Sequence, residues 1–460
     1  MSKLGTAEMP ARVAVVGSGP SGFYAAEALL GSESEVRVDM FDRLPAPFGL
    51  VRYGVAPDHG KIKNVTKVYE KTAERPGFSF YGNVEVGKDI SLEQLRQYYD
   101  AVIFTSGAQT DRHLGIPGED LPGSHPATEF VAWYNGHPDY TDCTFDLSHE
   151  SAVVIGVGNV AVDVARILAK SVDELKTTDI AEHALDALAT SKIKDIHLIG
   201  RRGPAQAKFT AQELKELGEL EICDIVINDS DLELNPESQA ELDDPKNKGA
   251  VKIYKLLTEF AARPSAGRER RLFPHFLESP VELSGDGRLN QVTLERNALD
   301  GEPGRQKSVG TGAKVALDCG VLFRSVGYRG VAIPGVPFRD DWGIIPNDDG
   351  RVTETVDGPV VPGLYAAGWI KRGPSGIIGT NKPCSIETVK HLLEDLPSLV
   401  PCTVRDDGAL DDLLADRGVK FVDYEAWKKI DAVEIEKGEA KGKPREKIVR
   451  VDDMLTTAGL

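Results

Sequence analysis

Arg12-Val13-Ala14-Val15-Val16 runs directly into Gly17-Ser18-Gly19-Pro20-Ser21-Gly22 and on to Phe23-Tyr24-Ala25-Ala26. An apolar run of strand length, a G-x-G-x-x-G turn and a stretch of helix formers together describe the strand, turn and helix start of a dinucleotide-binding βαβ unit. Gly17 is expected to make the tight turn, Gly19 to let the backbone reach a pyrophosphate, and Gly22 to let helix and strand approach closely. The helix N-terminus would offer free N–H groups and a partial positive charge to phosphates. A second apolar run, Val36-Arg37-Val38-Asp39-Met40-Phe41, ends at Asp42, twenty residues beyond Gly22, where a carboxylate meets ribose hydroxyls.

The pattern recurs at Ala152-Val153-Val154-Ile155-Gly156-Val157-Gly158-Asn159-Val160-Ala161, with Ala161 in place of the third glycine. Either stretch alone could be a plain glycine-rich strand-to-helix turn. The pair suggests two dinucleotides and electron transfer between them. The strand that should carry the second ribose reader, Ile196-His197-Leu198-Ile199-Gly200, ends in Arg201-Arg202 and not in an acid. A 2′-phosphate calls for cationic, forked donors, so the second site is expected to prefer NADP(H) over NAD(H).

At 460 residues the chain is long enough for two or three domains. No apolar run approaches the roughly 20 residues that span a bilayer, and the first residues resemble neither a signal nor a transit peptide, so a cytoplasmic protein is expected. The five cysteines, Cys143, Cys223, Cys319, Cys384 and Cys402, form no C-x-x-C pair. That argues against a disulfide framework, a metal or iron–sulfur centre within the chain, and a redox dithiol. A net charge of −18 disfavours nucleic-acid and membrane-surface binding.

Read in order, the chain is α/β: two Rossmann-like dinucleotide-binding domains, the second inserted in the first. Leu44 to His59 is rich in Pro and Gly and reads as a loop lining a cofactor pocket, with His59 either part of that pocket or a surface histidine. A helix with basic spots at Lys61, Lys63, Lys67 and Lys71 follows, and Ala101 to Gly107 reads as a buried parallel strand. The chain is expected to cross out between Ala108 and Gly123 and to return at Gly327-Tyr328-Arg329-Gly330. The expected division is 1–108, 109–326 and 327–460. Strands are expected at Leu289–Glu295 and 314–325, with a hairpin around Asn347-Asp348-Asp349-Gly350. Glu216 to Lys248 reads as an acidic surface excursion, and the tail from Val419 carries no recognisable chemistry. Arg263 to Arg271 is the densest basic stretch; it is either a solvated loop or a local patch able to attract an acidic partner. Gly363 to Lys382, a strand followed by a glycine-rich turn into a helix, reads as another backbone cradle for the first cofactor.

Pro47-Phe48-Gly49-Leu50-Val51-Arg52 with Gly54-Val55-Ala56-Pro57-Asp58 resembles the adrenodoxin reductase family, which includes bacterial NADPH-ferredoxin reductases. Gly158-Asn159-Val160-Ala161, Arg201-Arg202-Gly203-Pro204, and Gly368-Trp369 followed by Arg372-Gly373-Pro374 extend the resemblance over nearly the whole chain. The resemblance implies FAD contacts at Ser21, Asp42, Leu50, Val86, Trp369, Gly376, Ile377 and Ile378, beside the fingerprint glycines Gly17, Gly19 and Gly22. It implies NADP contacts at Arg112, Val157, Gly158, Asn159, Val160, Arg201, Arg202, Glu213 and Gly376. Asp42 stands where the family often has Glu, which shortens the reach to the ribose, and Val157 where glutamine is common. The implied reaction is hydride transfer from NADPH to flavin N5, then single electrons to a ferredoxin-type iron–sulfur protein, with the cofactors carrying the chemistry. His59 and Glu213 are the candidate catalytic residues. Other readings are a thioredoxin-reductase-like enzyme, which lacks its dithiol here, a flavoprotein subunit feeding a larger redox complex, and a non-catalytic nucleotide-binding protein.

Overall fold

The computed structural model describes residues 3–460. Two mainly parallel sheets organise it. The first runs in the order Asn347–Asp348, Arg351–Thr353, Val360–Ala366, Ala101–Phe104, Ala11–Val16, Val36–Asp42 and Phe78–Gly82. The second runs Ser124–Pro126, Val321–Arg324, Ser151–Ile155, Asp195–Gly200, Arg270–Phe276 and Cys223–Ile225. The first sheet is thus assembled from both ends of the chain and the second from its middle.

The unbroken apolar runs follow from burial on both faces of a parallel sheet. In Ala11–Val16, Val13 and Val15 join Phe23 and Tyr69 in one core, while Ala14 and Val16 join Val102 and Phe104 in the other. In Ser151–Ile155, Val154 packs among the helices, whereas Val153 and Ile155 meet Leu283, Val292 and Leu294. Those three leucine and valine side chains come from an antiparallel sheet of Glu278–Ser284, Gln291–Asp300 and Lys307–Asp318 that covers one face of the second parallel sheet. The two connections between the parallel sheets run side by side, Thr110 opposite Arg329 and Asp111 opposite Tyr328, in a short antiparallel ribbon.

Several details depart from the sequence reading. The strand expected at Leu289–Glu295 is Gln291–Asp300, because pairing with Lys307–Asp318 carries it past the apolar stretch. Residues 216–248 are not only a surface excursion. Cys223–Ile225 is the edge strand of the second sheet, and the helix Pro236–Asp243 buries Ser238 against Gln306, with a 2.8 Å hydrogen bond. The helix starts on a side-chain cap, Asn235 accepting from the Ser238 N–H, and elements this short carry no period long enough to read. The tail has structural chemistry after all. Its helix Tyr424–Ala440 buries Trp427, Ile430 and Glu434, and Glu434 accepts from Arg52 at 2.9 and 2.5 Å. Arg52 lies in the loop Leu44 to His59, so the tail anchors that loop. Among the described residues no helix is long and apolar enough to cross a membrane.

Candidate active site

The first fingerprint builds a cradle from backbone. Gly17 sits at φ +112°, and a Cβ there would lie 2.6 Å from the Thr105 carbonyl oxygen. A Cβ on Gly22 would lie 2.1 Å from the Gly17 carbonyl oxygen, whereas a Cβ on Gly19 would meet no atom within 4 Å. The turn is therefore closed at both outer glycines and open at the middle one, which leaves the helix N-terminus at Pro20 accessible to an anion. Asp42 stands at the end of Val36–Asp42, where the spacing put it, but it also holds the turn: its carboxylate accepts from the Ser18 N–H at 3.0 Å, the Ser18 hydroxyl at 2.5 Å and the Leu44 N–H at 3.0 Å. Leu50 opens a short helix in the anchored loop, and Val86 is buried in the core below.

The stretch after Val360–Ala366 closes over this cradle. Gly368, at φ +76°, lies so close to Ser21 that a Cβ would be 1.9 Å from its hydroxyl oxygen. The Ser21 hydroxyl donates to Asn381 Oδ1 at 3.2 Å, and Asn381 Oδ1 also accepts from Arg372 Nη2 at 3.0 Å. Arg372 Nη1 is buried with no protein partner. A cationic N–H donor, free and next to the N-terminus of Pro20–Leu30, fits a pyrophosphate-bearing cofactor. The Trp369 indole N–H donates to the Ser375 carbonyl at 3.1 Å and its ring lies 5.6 Å from that of Tyr328. Gly376 and Ile377 are exposed and Ile378 half-buried at the rim.

The second fingerprint repeats the turn. Gly156, at φ +134°, would place a Cβ 2.2 Å from the Ser325 carbonyl oxygen, while Gly158 again faces open space. The Val157 carbonyl accepts from the Lys208 N–H at 2.9 Å, and Asn159 Oδ1 accepts from the Thr210 N–H at 2.8 Å. Thr210 caps the helix Ala211–Leu217, which carries Glu213. Val160 is half-buried in the first turn of Asn159–Ala169. Arg201 is exposed and Arg202 half-buried just past Asp195–Gly200, and Arg112 is exposed beside the connecting ribbon.

His59 and Glu213 come together, His59 Nε2 lying 3.6 Å from Glu213 Oε2. They belong to a larger charged cluster centred on Arg166, whose side chain is 1% exposed. Arg166 donates to Asp58 through Nε at 2.8 Å, to Asp163 at 2.7 Å and to Glu213 at 3.0 Å, with Nη2 2.9 Å from His59 Nε2. Lys170 reaches Asp58 at 2.9 Å, and Glu216 lies 2.7 Å from His59. Four carboxylates thus surround one guanidinium and one ammonium, so a proton is retained. Burial, then the charge of Asp163, push Glu213 up to about 7. At Asp58 the cost of burial is outweighed by Arg166 and Lys170, which hold it well below the usual carboxylate range. Ligand atoms of His59, Glu213 and Glu216 lie within 4.8 Å of one another, but Arg166 already supplies the cation there. Sequence reasoning missed Asp163 and Arg166. Two opposite charges three residues apart in the otherwise apolar helix Asn159–Ala169 were the available signal.

The basic stretch is drawn into the fold. Arg263 donates to the Gly218 carbonyl at 3.0 Å, Arg268 to that of Cys223 at 2.9 Å, and Arg270 to those of Leu168 and Lys170 at 2.6 and 2.7 Å. Arg271 pairs with Asp195 at 2.7 and 2.6 Å.

Two glycine-rich strand-to-helix turns, with the segments that follow them joined at a buried charged cluster, are the arrangement expected of a two-dinucleotide oxidoreductase. Residues 11–198 match the family described as pyridine nucleotide-disulphide oxidoreductase. The chain is 45% identical over 460 residues to NADPH-ferredoxin reductase FprA of Mycobacterium tuberculosis, covering 97% of this chain and 98% of that one. It is 43% identical to the mitochondrial NADPH:adrenodoxin oxidoreductase of Arabidopsis thaliana, covering 98% and 95%. The solved structure of Mycobacterium tuberculosis FprA in complex with NADPH superposes with a TM-score of 0.91 at 44% identity, covering 98% of this chain and all of the other. The chain belongs to the adrenodoxin reductase family, with the NADPH-ferredoxin reductases.

Proposed function

We propose that this chain is an FAD-dependent NADPH:ferredoxin oxidoreductase. The observation that carries the reading is the meeting of two cradles: the loop that follows the first and the helix capped from the second join at His59, Arg166 and Glu213. FAD, when bound, supplies the conversion of one hydride from NADPH into single electrons for an iron–sulfur acceptor. The protein's residues bind, orient and hold protons. Gly17, Gly19, Ser21 and Gly22 present the helix N-terminus to the FAD pyrophosphate, with Arg372 as its side-chain cation, and Asp42 faces the ribose. Leu50, Val86, Trp369, Gly376, Ile377 and Ile378 line the flavin side. Val157, Gly158, Asn159, Val160 and Arg112 receive the NADP pyrophosphate, and Arg201 and Arg202 the 2′-phosphate. Glu213 keeps a proton at its carboxyl near neutrality, and His59 orients beside it where nicotinamide and flavin stack. The FAD-binding parts are residues 1–108 and 327–460, and the NADP-binding part is 109–326.

The electron acceptor is a ferredoxin-type protein. Exposure of Arg263, Arg268 and Arg271 supports a landing face there, and the internal bonds of all four arginines, Arg270 included, count against it. Five unpaired cysteines suit a reducing compartment, which supports a cytoplasmic location. The test is an anaerobic titration that follows flavin absorbance during addition of NADPH and, separately, NADH. Bleaching at far lower NADPH than NADH is the expected result. Absence of flavin, or equal response to both nucleotides, overturns the reading.

A further inference from the structure

In a chain of net charge −18, three exposed lysines gather on one short helical stretch directly after His59. Lys61, Lys67 and Lys71 are exposed, and among the described residues none has a carboxylate within 4.0 Å. They lie on the helices Gly60–Lys63 and Thr66–Ala73, which hydrogen bonds from Asn64 N–H to Gly60 and from Lys67 N–H to Asn64 join into one nearly continuous run. Asn64, Lys67, Val68 and Lys71 follow the three- and four-residue spacing of one helical face, and Lys61 borders it one turn before Asn64. Val68 is 43% exposed within that face. The other side of the run is pinned: Lys63 binds Asp179 at 2.7 Å, and Tyr69, 1% exposed, stacks on Phe23 at 4.9 Å. The stripe is therefore rigid and preformed.

Its position matters more than its charge. His59 accepts backbone hydrogen bonds from the Ile62 and Lys63 N–H groups at 3.0 and 3.2 Å, so the stripe starts one helical turn from the charged cluster. We propose that the face formed by Lys61, Asn64, Lys67, Val68 and Lys71 is the docking surface for an acidic iron–sulfur protein that receives the electrons. This rests on the functional reading above. Lysine ammoniums are compact, strongly hydrated and mobile, and around a small apolar contact they attract carboxylates without locking them in forked pairs. That suits the small, transient complexes of electron transfer, in which charge sets encounter rate more than lifetime. The arginines of 263–271, by contrast, spend their donors on backbone carbonyls and Asp195.

The experiment uses the flavin-loaded enzyme with a plant-type [2Fe–2S] ferredoxin of net negative charge as probe, coupled to cytochrome c. Ferricyanide reduction by NADPH monitors the nucleotide-to-flavin half separately. For Lys61→Glu/Lys67→Glu/Lys71→Glu, the KM for ferredoxin is expected to rise at least about tenfold at low salt. The difference should shrink at high salt as the Debye length falls to about 3 Å, and ferricyanide reduction should stay within about twofold of the parent. The triple Gln variant should fall between, with an unchanged melting temperature. An unchanged ferredoxin KM in the triple Glu variant overturns the proposal, as does a larger effect of Arg263→Glu. Ferricyanide but no ferredoxin reduction by the parent enzyme overturns the acceptor reading itself.

Discussion

The two fingerprints share a frame and differ in what stands at its edges. Each has a glycine of positive φ jammed against the carbonyl of the facing strand, at Gly17 and Gly156, and an open middle glycine, at Gly19 and Gly158. They part at the third position and at the end of the second strand. Gly22 has the Gly17 carbonyl 2.1 Å from where a Cβ would be, while the second site tolerates Ala161, fully buried. The second strand of the first unit ends in a carboxylate bonded back to its own turn, that of the second unit in an arginine pair, Arg201 exposed and Arg202 half-buried. Closure at the first site and openness at the second fit a resident cofactor and an exchanging one.

The sharpest way to break this comparison is Gly22→Ala. A backbone carbonyl cannot yield as a side chain can, so helix and strand must separate, and we expect the protein to purify without flavin absorbance and at least about 3 kcal/mol less stable. Retained flavin and an unshifted denaturation midpoint would show that the first turn is as forgiving as the second.

Arg201→Ser/Arg202→Ser tests the other difference. A charge-assisted hydrogen bond contributes about 1.5–3 kcal/mol, so each arginine lost should weaken NADPH by roughly ten- to a hundredfold. NADH should be nearly unaffected, and stopped-flow flavin reduction with each nucleotide reads both. An equal loss for both nucleotides would mean the pair supports the fold and not the 2′-phosphate.

Arg372→Gln should loosen only the first site. Its free Nη1 is a donor that FAD would complete, so FAD affinity, followed by flavin fluorescence on dilution, is expected to fall about tenfold with no change in NADP binding. Unchanged FAD affinity would leave the helix N-terminus as the sole anion contact.

What the sequence displayed was whatever depends on backbone spacing. Gly17, Gly22, Asp42 and Gly156 are local consequences of a strand-turn-helix unit, so they could be read without a partner in view. The centre of the charged cluster could not. Arg166 earns its meaning from Asp58, 108 positions away, and Glu213, 47 positions away, and no local pattern carries such a distance. Glu434 was hidden for the same reason, since its partner Arg52 lies 382 residues earlier. The bonding of the basic stretch was equally hidden: Arg263 to Arg271 is dense in sequence, but that Arg263, Arg268 and Arg270 bond backbone carbonyls and Arg271 pairs with Asp195 depends on segments far along the chain.

A smaller effect is expected where the two sites meet. Glu213 carries a proton up to about 7, because burial and then Asp163 raise it. Its raised folded value means that the folded protein binds more protons than the unfolded chain between the ordinary carboxyl range and about 7. Stability from this group is therefore present at low pH and lost as pH climbs through that window. The rate of NADPH-dependent flavin reduction should change several-fold across neutrality, and Glu213→Gln should flatten that change while leaving FAD bound. A profile unaltered by the substitution would assign the titration to another group.

The smallest effect should come from Ala161→Gly, which gives the second site the third glycine of the first. Ala161 lies in the first turn of Asn159–Ala169 and packs in a core with Val154 and Phe323. The methyl fills space there, so glycine gains no closer approach and loses helix propensity of about 0.5–1 kcal/mol, plus some burial. A fall in melting temperature of a few degrees with unchanged NADPH affinity is expected. Tighter NADPH binding would mean that the second turn is held open by that methyl, and that the contrast with Gly22 reflects one carbon atom and not the packing of the helix as a whole.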